Sequence, residues 1–266
     1  MLRQLRLLSR LLGLNVGVTF QYRGEFVIMQ LKNLIVPLTS LLVWRAALAA
    51  RADLPVDTQY LTGYFLLVSV VGMLTASWTA FYLAESIRDG ALNRWLIRPA
   101  STHLDAVANN AGEKVIKLVL IAPFIVILAL VLHDQLALPA DPRRWVLFGA
   151  AVVLAAGMRL TLDIIVGSLA FWFEDVQGFI RAFGVITPIL SGGVVPLALM
   201  PATLAGLTAA QPFRFMLSFP MEVLLGDLSG GWVLGFAGQL GWLITFVLIA
   251  NGVWRLGLRS YSAAGV

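Results

Sequence analysis

The sequence predicts an all-α membrane protein with six transmembrane helices, and three observations carry that reading. The apolar residues come in long runs. Of the chain, 59% is hydrophobic and only 12% is charged, whereas a soluble domain carries about 25% charge. So little charge cannot cover a globule in water, but it suits a surface that faces lipid. The net charge is +5, and in a membrane protein a basic excess collects on cytoplasmic loops. That reading displaces nucleic acid as a partner. The 266 residues leave room for one membrane domain and no soluble domain beside it. No cysteine is present, which excludes disulfides and thiolate chemistry.

The elements follow in order. In residues 1–22, Arg3, Arg6 and Arg10 share one helical face, with Leu5, Leu8 and Leu12 opposite. This predicts an amphipathic helix lying in the membrane interface. It does not read as a signal peptide, lacking a separate apolar stretch and cleavage site, and a transit peptide is the weaker reading because the next segment follows without a break. A helix needs about 20 apolar residues to cross the hydrocarbon. Six stretches are assigned to spans: 26–50, 60–82, 115–133, 145–173, 178–196 and 232–256. Lys32 and Arg45 lie near the ends of the first, where long side chains reach the headgroups. Glu25 or a lipid phosphate are alternative partners for Lys32. The fourth stretch is long enough to tilt, and the fifth loses regularity by Gly192.

Lysine and arginine in the connections set the orientation. With the N-terminus inside, the inner side collects Arg3, Arg6, Arg10, Arg23, Arg88, Arg94, Arg98, Lys114, Lys117, Arg181, Arg255 and Arg259. The outer side collects Arg45, Arg51, Arg143, Arg144 and Arg214. This imbalance predicts both termini in the cytoplasm, and the expected location is a bacterial inner membrane.

Two connections carry information. The outer one, after the fifth span, holds Gly192, Gly193, Pro196, Pro201, Pro212 and Pro220 yet stays apolar. It predicts short re-entrant helices over 197–230, since irregular backbone at membrane depth needs protein or a wet cavity beside it. The inner one, between the second and third spans, contains a short amphipathic helix over 85–99. Ile87, Ala91 and Trp95 recur at four-residue spacing, Leu92 and Leu96 broaden the stripe, and Arg88, Asp89, Arg94 and Arg98 supply the polar side. Pro99 stops it. Two readings stand: a helix sealing the loop onto lipid, or one inserting spaced apolar anchors into a groove on a soluble partner.

Within the fourth span, Arg159 and Asp163 are four residues apart and can pair on one face. Intramembrane charges suggest function by default, but a locking pair that faces the bundle is the preferred reading. Glu174 and Asp175 lie in the turn before the fifth span, either as a solvated turn or as a second contact for a partner. His103 with Asp105 and His133 with Asp134 form no cluster with acid–base or ligand partners. An intramembrane enzyme is therefore a distant alternative, and a gradient-driven secondary transporter the nearer one. The latter would show interrupted spans in two matching halves, and no internal repeat is visible.

Ile87, Arg88, Gly90, Leu92, Leu96, Arg98 and Pro99 resemble the Ile-Arg-x-Gly-x-Leu…Leu…Arg-Pro pattern of ABC-2 transporter permeases. More narrowly, the chain is similar to the poorly characterised ABC-2 permeases whose genes often come in pairs. The shared features are Leu169 to Trp172, Ser191 to Gly193, Pro212, Phe213 and Pro220. The resemblance covers nearly the whole chain, through the order of elements more than through any one motif. It implies a type V exporter-like fold in which residues 1–22 form the elbow helix. It implies a coupling helix made of Ile87, Arg88, Asp89, Gly90, Leu92, Arg94, Trp95, Leu96 and Arg98, docked in an ATPase subunit. The first, second and fifth spans would line a pathway, with Thr39, Tyr64, Ser69, Thr187 and Ser191 as lining candidates. The chain lacks the Gly-x-x-x-x-Gly-Lys-Ser/Thr phosphate loop. ATP and Mg would therefore sit on a separate ATPase present in two copies. The second permease chain would be identical or homologous, with a heteromer favoured. The expected cargo is a hydrophobic or amphipathic lipid, drug or peptide-like molecule, moved outward by alternating access, and no cofactor is expected on this chain.

Overall fold

Helices account for nearly all of the computed structural model, which describes residues 23–50, 56–96, 102–131, 134, 138–226 and 231–261. They are α1 (Arg23–Ala49), α2 (Thr58–Thr75), α3 (Thr79–Arg88), α4 (Asn93–Leu96), α5 (Thr102–Val131), α6 (Pro142–Ser168), α7 (Gln177–Leu190), α8 (Ala205–Ala210), α9 (Ser218–Leu225) and α10 (Trp232–Ser260). Among the described residues, three segments are long and apolar enough to cross a membrane: Thr58–Arg88, Pro142–Phe171 and Trp232–Ser260. Each holds 29 to 31 residues, and at about 1.5 Å per residue each exceeds a hydrocarbon core of about 30 Å. Leu34–Ala49 and Gln177–Leu190 are shorter apolar helices. The described residues thus show three full-length apolar spans where the sequence suggests six. The interfacial helix expected over 1–22 lies outside them.

Local chemistry explains the boundaries. Asp57 precedes α2 and accepts a hydrogen bond from the Tyr60 backbone N–H at 2.7 Å. Asp141 does the same for Arg143 at 2.9 Å, with Pro142 in the first turn of α6. Both are side-chain oxygens that satisfy the free N–H groups of a helix start. Asp175 receives the Gln177 N–H at 2.8 Å where α7 begins. α5 starts at Thr102, so most of the connection before the third expected span is itself helical. α7 stops at Leu190. Its 14 residues span about 21 Å, less than the hydrocarbon thickness.

The second expected span is not one helix. α2 ends at Thr75, Ala76 turns extended (φ −53°, ψ 142°), and α3 begins only at Thr79. Ser77 provides a local reason. Its hydroxyl lies 3.0 Å from Thr79 Oγ1 and accepts the Thr79 N–H at 3.2 Å. Such side-chain-to-backbone bonding competes with the helical ladder.

The segment after α7 folds back onto the helices. α9 is almost wholly buried, packed on α2 and α6 and on the turn Pro212–Met216. Met221 and Leu224 join Leu61, Phe65 and Val71 of α2 and Phe148 of α6 in one core. Phe215 and Phe219 join Met158 and Val166 of α6 and Phe246 of α10 in a second. α10 admits those rings by lacking side chains. A Cβ on Gly235 would fall 2.0 Å from the Phe219 ring, and one on Gly238 would fall 2.8 Å from Phe215. Small residues at helix contacts are a general device where lipid offers no hydrophobic drive for helices to associate.

Candidate functional site

The interruption between α2 and α3 gathers the buried charges. A helix end leaves backbone groups without partners, and here two other helices supply them. Lys114 of α5 donates from Nζ to the Ala76 carbonyl at 3.1 Å, at the C-terminus of α2. Asp163 of α6 lies near the Ser77 hydroxyl and the Ala80 backbone at the start of α3 and interacts with both electrostatically. Trp78, the residue in the capping position, offers no side-chain bond. A cation thus meets the negative end of one helix and a carboxylate the positive end of the next, each the sign that the helix dipole favours. Gly167 allows the approach, since a Cβ there would lie 2.8 Å from the Ala80 carbonyl oxygen.

The Arg159–Asp163 pair expected from the sequence forms, with Nε to Oδ1 at 3.1 Å. The Asp163 side chain is 6% exposed and that of Arg159 24%. α5 adds more charge. Asn110, Glu113, Lys114 and Lys117 fall at helical spacing on one face. Lys117 is 1% exposed and pairs with Glu113 at 2.6 Å. Asn110 is buried; its Oδ1 accepts from Lys114, while its Nδ2 has no partner among the described residues. Lys114 feels Lys117, Glu113, Asp163 and Arg159 electrostatically. The result is one buried network on α5, α6 and the α2–α3 interruption. Sequence reasoning found only its Arg159–Asp163 part. The missed signal was the 110, 113, 114, 117 spacing just before an apolar run.

The single helix expected over 85–99 is divided. α3 ends at Arg88, Gly90 takes φ +68°, and α4 covers only Asn93–Leu96 among the described residues. Gly90 tolerates that left-handed backbone because it has no Cβ. The turn directs Leu92, which is 0% exposed, inward beside Ile87 onto Trp254. Phe171 packs on Trp254 and Tyr261 with ring centroids 5.5 and 5.8 Å away. The apolar stripe therefore does not face outward as a unit. Leu96 is 44% exposed, and Arg88 and Asp89 are exposed and pair with each other at 3.1 Å. The side chains of Arg94 and Trp95, and all of Arg98, lie outside the described residues. Glu174 and Asp175 are exposed.

The lining candidates divide as well. Tyr64 is buried and donates to the Gly192 carbonyl at 2.9 Å, beside Ser218 Oγ at 3.2 Å. Ser218 donates to the Ser191 carbonyl at 2.6 Å. Trp44 reaches the Val194 carbonyl at 3.2 Å. These bonds tie the irregular backbone after α7 to α1, α2 and α9. They satisfy carbonyls that helix no longer satisfies. Ser69 is buried and donates to Phe65 O at 3.0 Å. Thr187 is buried without a partner for its hydroxyl among the described residues, and Thr39 is exposed.

Long apolar helices around buried charges define an integral membrane protein. Residues 55–265 match the family described as ABC-2 family transporter protein, and the chain belongs to that family. It is accordingly the permease of an ABC transporter, a membrane transport component and not an enzyme. Such permeases generally work with an ABC ATPase. No curated protein matched the chain.

Proposed function

We propose that this chain is the permease subunit of an ATP-driven exporter whose ATPase is a separate polypeptide. Its cargo is hydrophobic or amphipathic. The observation that carries the reading is the turn of residues 88–96, which hangs from α3 inside the matched family region and exposes Arg88, Asp89 and Leu96. Two ATPase copies, with ATP and Mg, dock on this turn in two permease chains, a heteromeric pair being favoured. Leu96 is the apolar anchor, Arg88 and Asp89 flank it, and Arg94, Trp95 and Arg98 extend the contact. Ile87 and Leu92 hold the turn on the end of α10 instead of touching the partner. Both termini face the cytoplasm of a bacterial inner membrane. The segment 191–226 closes the outer end of the pathway. ATP binding draws the two turns together, and the permease halves switch between two packings biased by nucleotide.

The test is co-purification with the ATPase encoded beside it, followed by transport in proteoliposomes. Leu96→Asp should abolish ATPase association while the permease stays monodisperse. Unchanged association after Leu96→Asp together with Arg88→Glu would overturn the docking role. Transport driven by a proton or sodium gradient without any ATPase would overturn the exporter reading.

A further inference from the structure

The network at the α2–α3 interruption has more donors than acceptors and more positive than negative charge. Lys114, Lys117 and Arg159 stand against Glu113 and Asp163 among its described members. Among the described residues, only Lys117 and Arg159 of these cations have a carboxylate within ion-pair distance; both described bonds of Lys114 go to neutral oxygens. Of the five N–H groups of Arg159, only the Nε–H is bonded to Asp163. The Asn110 Nδ2, in a residue more than nine-tenths buried, has no acceptor among the described residues. A buried positive excess with unmet donors is costly in a membrane protein. An anion with several oxygen acceptors would relieve both deficits.

We propose that Asn110, Lys114 and Arg159 form a binding site for one oxyanion, a phosphate or carboxylate, at the end of an apolar molecule. The planar Arg159 guanidinium can hold two oxygens of such a group side by side. Its side chain is 24% exposed against 1% for Lys117, which makes it a point of entry. The apolar remainder of the ligand lies along Leu118, the exposed side chain one turn beyond Lys114 on the same side of α5. Lys114 anchors both the α2 end and the ligand, so an occupied site adds a tie across the interruption. Calling the ligand cargo rests on the exporter reading; the binding does not.

The experiment uses the full chain in phosphatidylcholine nanodiscs, without ATPase. Native mass spectrometry or calorimetry would follow binding of short-chain phosphatidylglycerol, matched short-chain phosphatidylcholine, and inorganic phosphate. One saturable site for the anionic lipid over the zwitterionic one is expected. Asn110→Asp keeps the oxygen that accepts from Lys114, removes the free donor and adds a negative charge. It should weaken that binding by about tenfold or more. Arg159→Lys retains the charge beside Asp163 but loses the fork, and should weaken it severalfold. The exposed Arg143→Gln should change nothing. Phosphate binding with the same sensitivity would assign the oxyanion to a water-soluble ligand and remove the apolar tail from the proposal. Equal binding of both lipids, or anionic binding that neither variant changes, would overturn it. Intact binding with no ATPase association would leave the site standing and remove the exporter reading instead.

Discussion

Asp163→Ala removes the group that holds the α2–α3 interruption together. Asp163 is 6% exposed, and its loss leaves Arg159 at 24% exposure without its carboxylate. The start of α3 also loses the carboxylate beside Ser77 and Ala80. Losing a negative charge at a helix N-terminus costs about 0.3–1 kcal/mol. Breaking a buried ion pair by deleting one partner costs about 3–5 kcal/mol, and the partial exposure of Arg159 puts this case at the low end. A total of about 3–4 kcal/mol corresponds to a melting shift of roughly 6–16 °C for a chain of this size class. The readout is thermal unfolding of the detergent-purified permease, followed by tryptophan fluorescence. Arg159→Met combined with Asp163→Leu removes both charges, and should recover more than half of the loss. A melting point within about a degree of wild type for Asp163→Ala would refute the capping role, using the same scale of degrees per kcal/mol. A double variant no better than the single one would refute the ion-pair share of the cost.

Two further perturbations separate neighbouring positions. Leu92→Asp places a charge where the side chain is fully buried against Ile87 and Trp254, so it should reduce the yield of folded, monodisperse permease severely. Leu96→Asp, four residues on and exposed, should leave that yield unchanged in size-exclusion profiles. Gly192→Ala should destabilise the segment after α7 by about 2 kcal/mol or more in the same melting assay. The backbone there has φ +91°, and the new Cβ would lie 2.3 Å from Ser218 Oγ and 2.6 Å from Tyr64 Oη.

Run length and low charge made the membrane class legible, and the Arg159–Asp163 spacing made one ion pair legible. The rest of that network was not, for a physical reason. Lys114 and Lys117, at the start of the span expected over 115–133, count only as inner-side charges in the sequence, yet the helix that carries them starts at Thr102. Their partners include the Ala76 carbonyl, and a backbone oxygen leaves no trace in residue type. The only sequence hint of the interruption is Ser77 and Thr79 inside an apolar stretch, too weak to outweigh helical periodicity. At 85–99 the four-residue spacing was real, but Gly90 reversed the chain and turned Leu92 toward a residue 162 positions later, Trp254. Spacing along one helix cannot foresee a lid supplied by another. The exposed polar part of that segment, Arg88 and Asp89, stands where the pattern put it.

The interruption at residues 76–78 also imposes an order on biogenesis. When Thr58–Arg88 is translated, Lys114 has not been made, and Asp163 follows later still. The Ala76 carbonyl and Ala80 N–H must meanwhile bond to water or to each other's neighbours in an unbroken helix, because lipid offers them nothing. The two helix ends acquire their final partners only when α5 and then α6 arrive, so the second span is completed by chain that is translated after it.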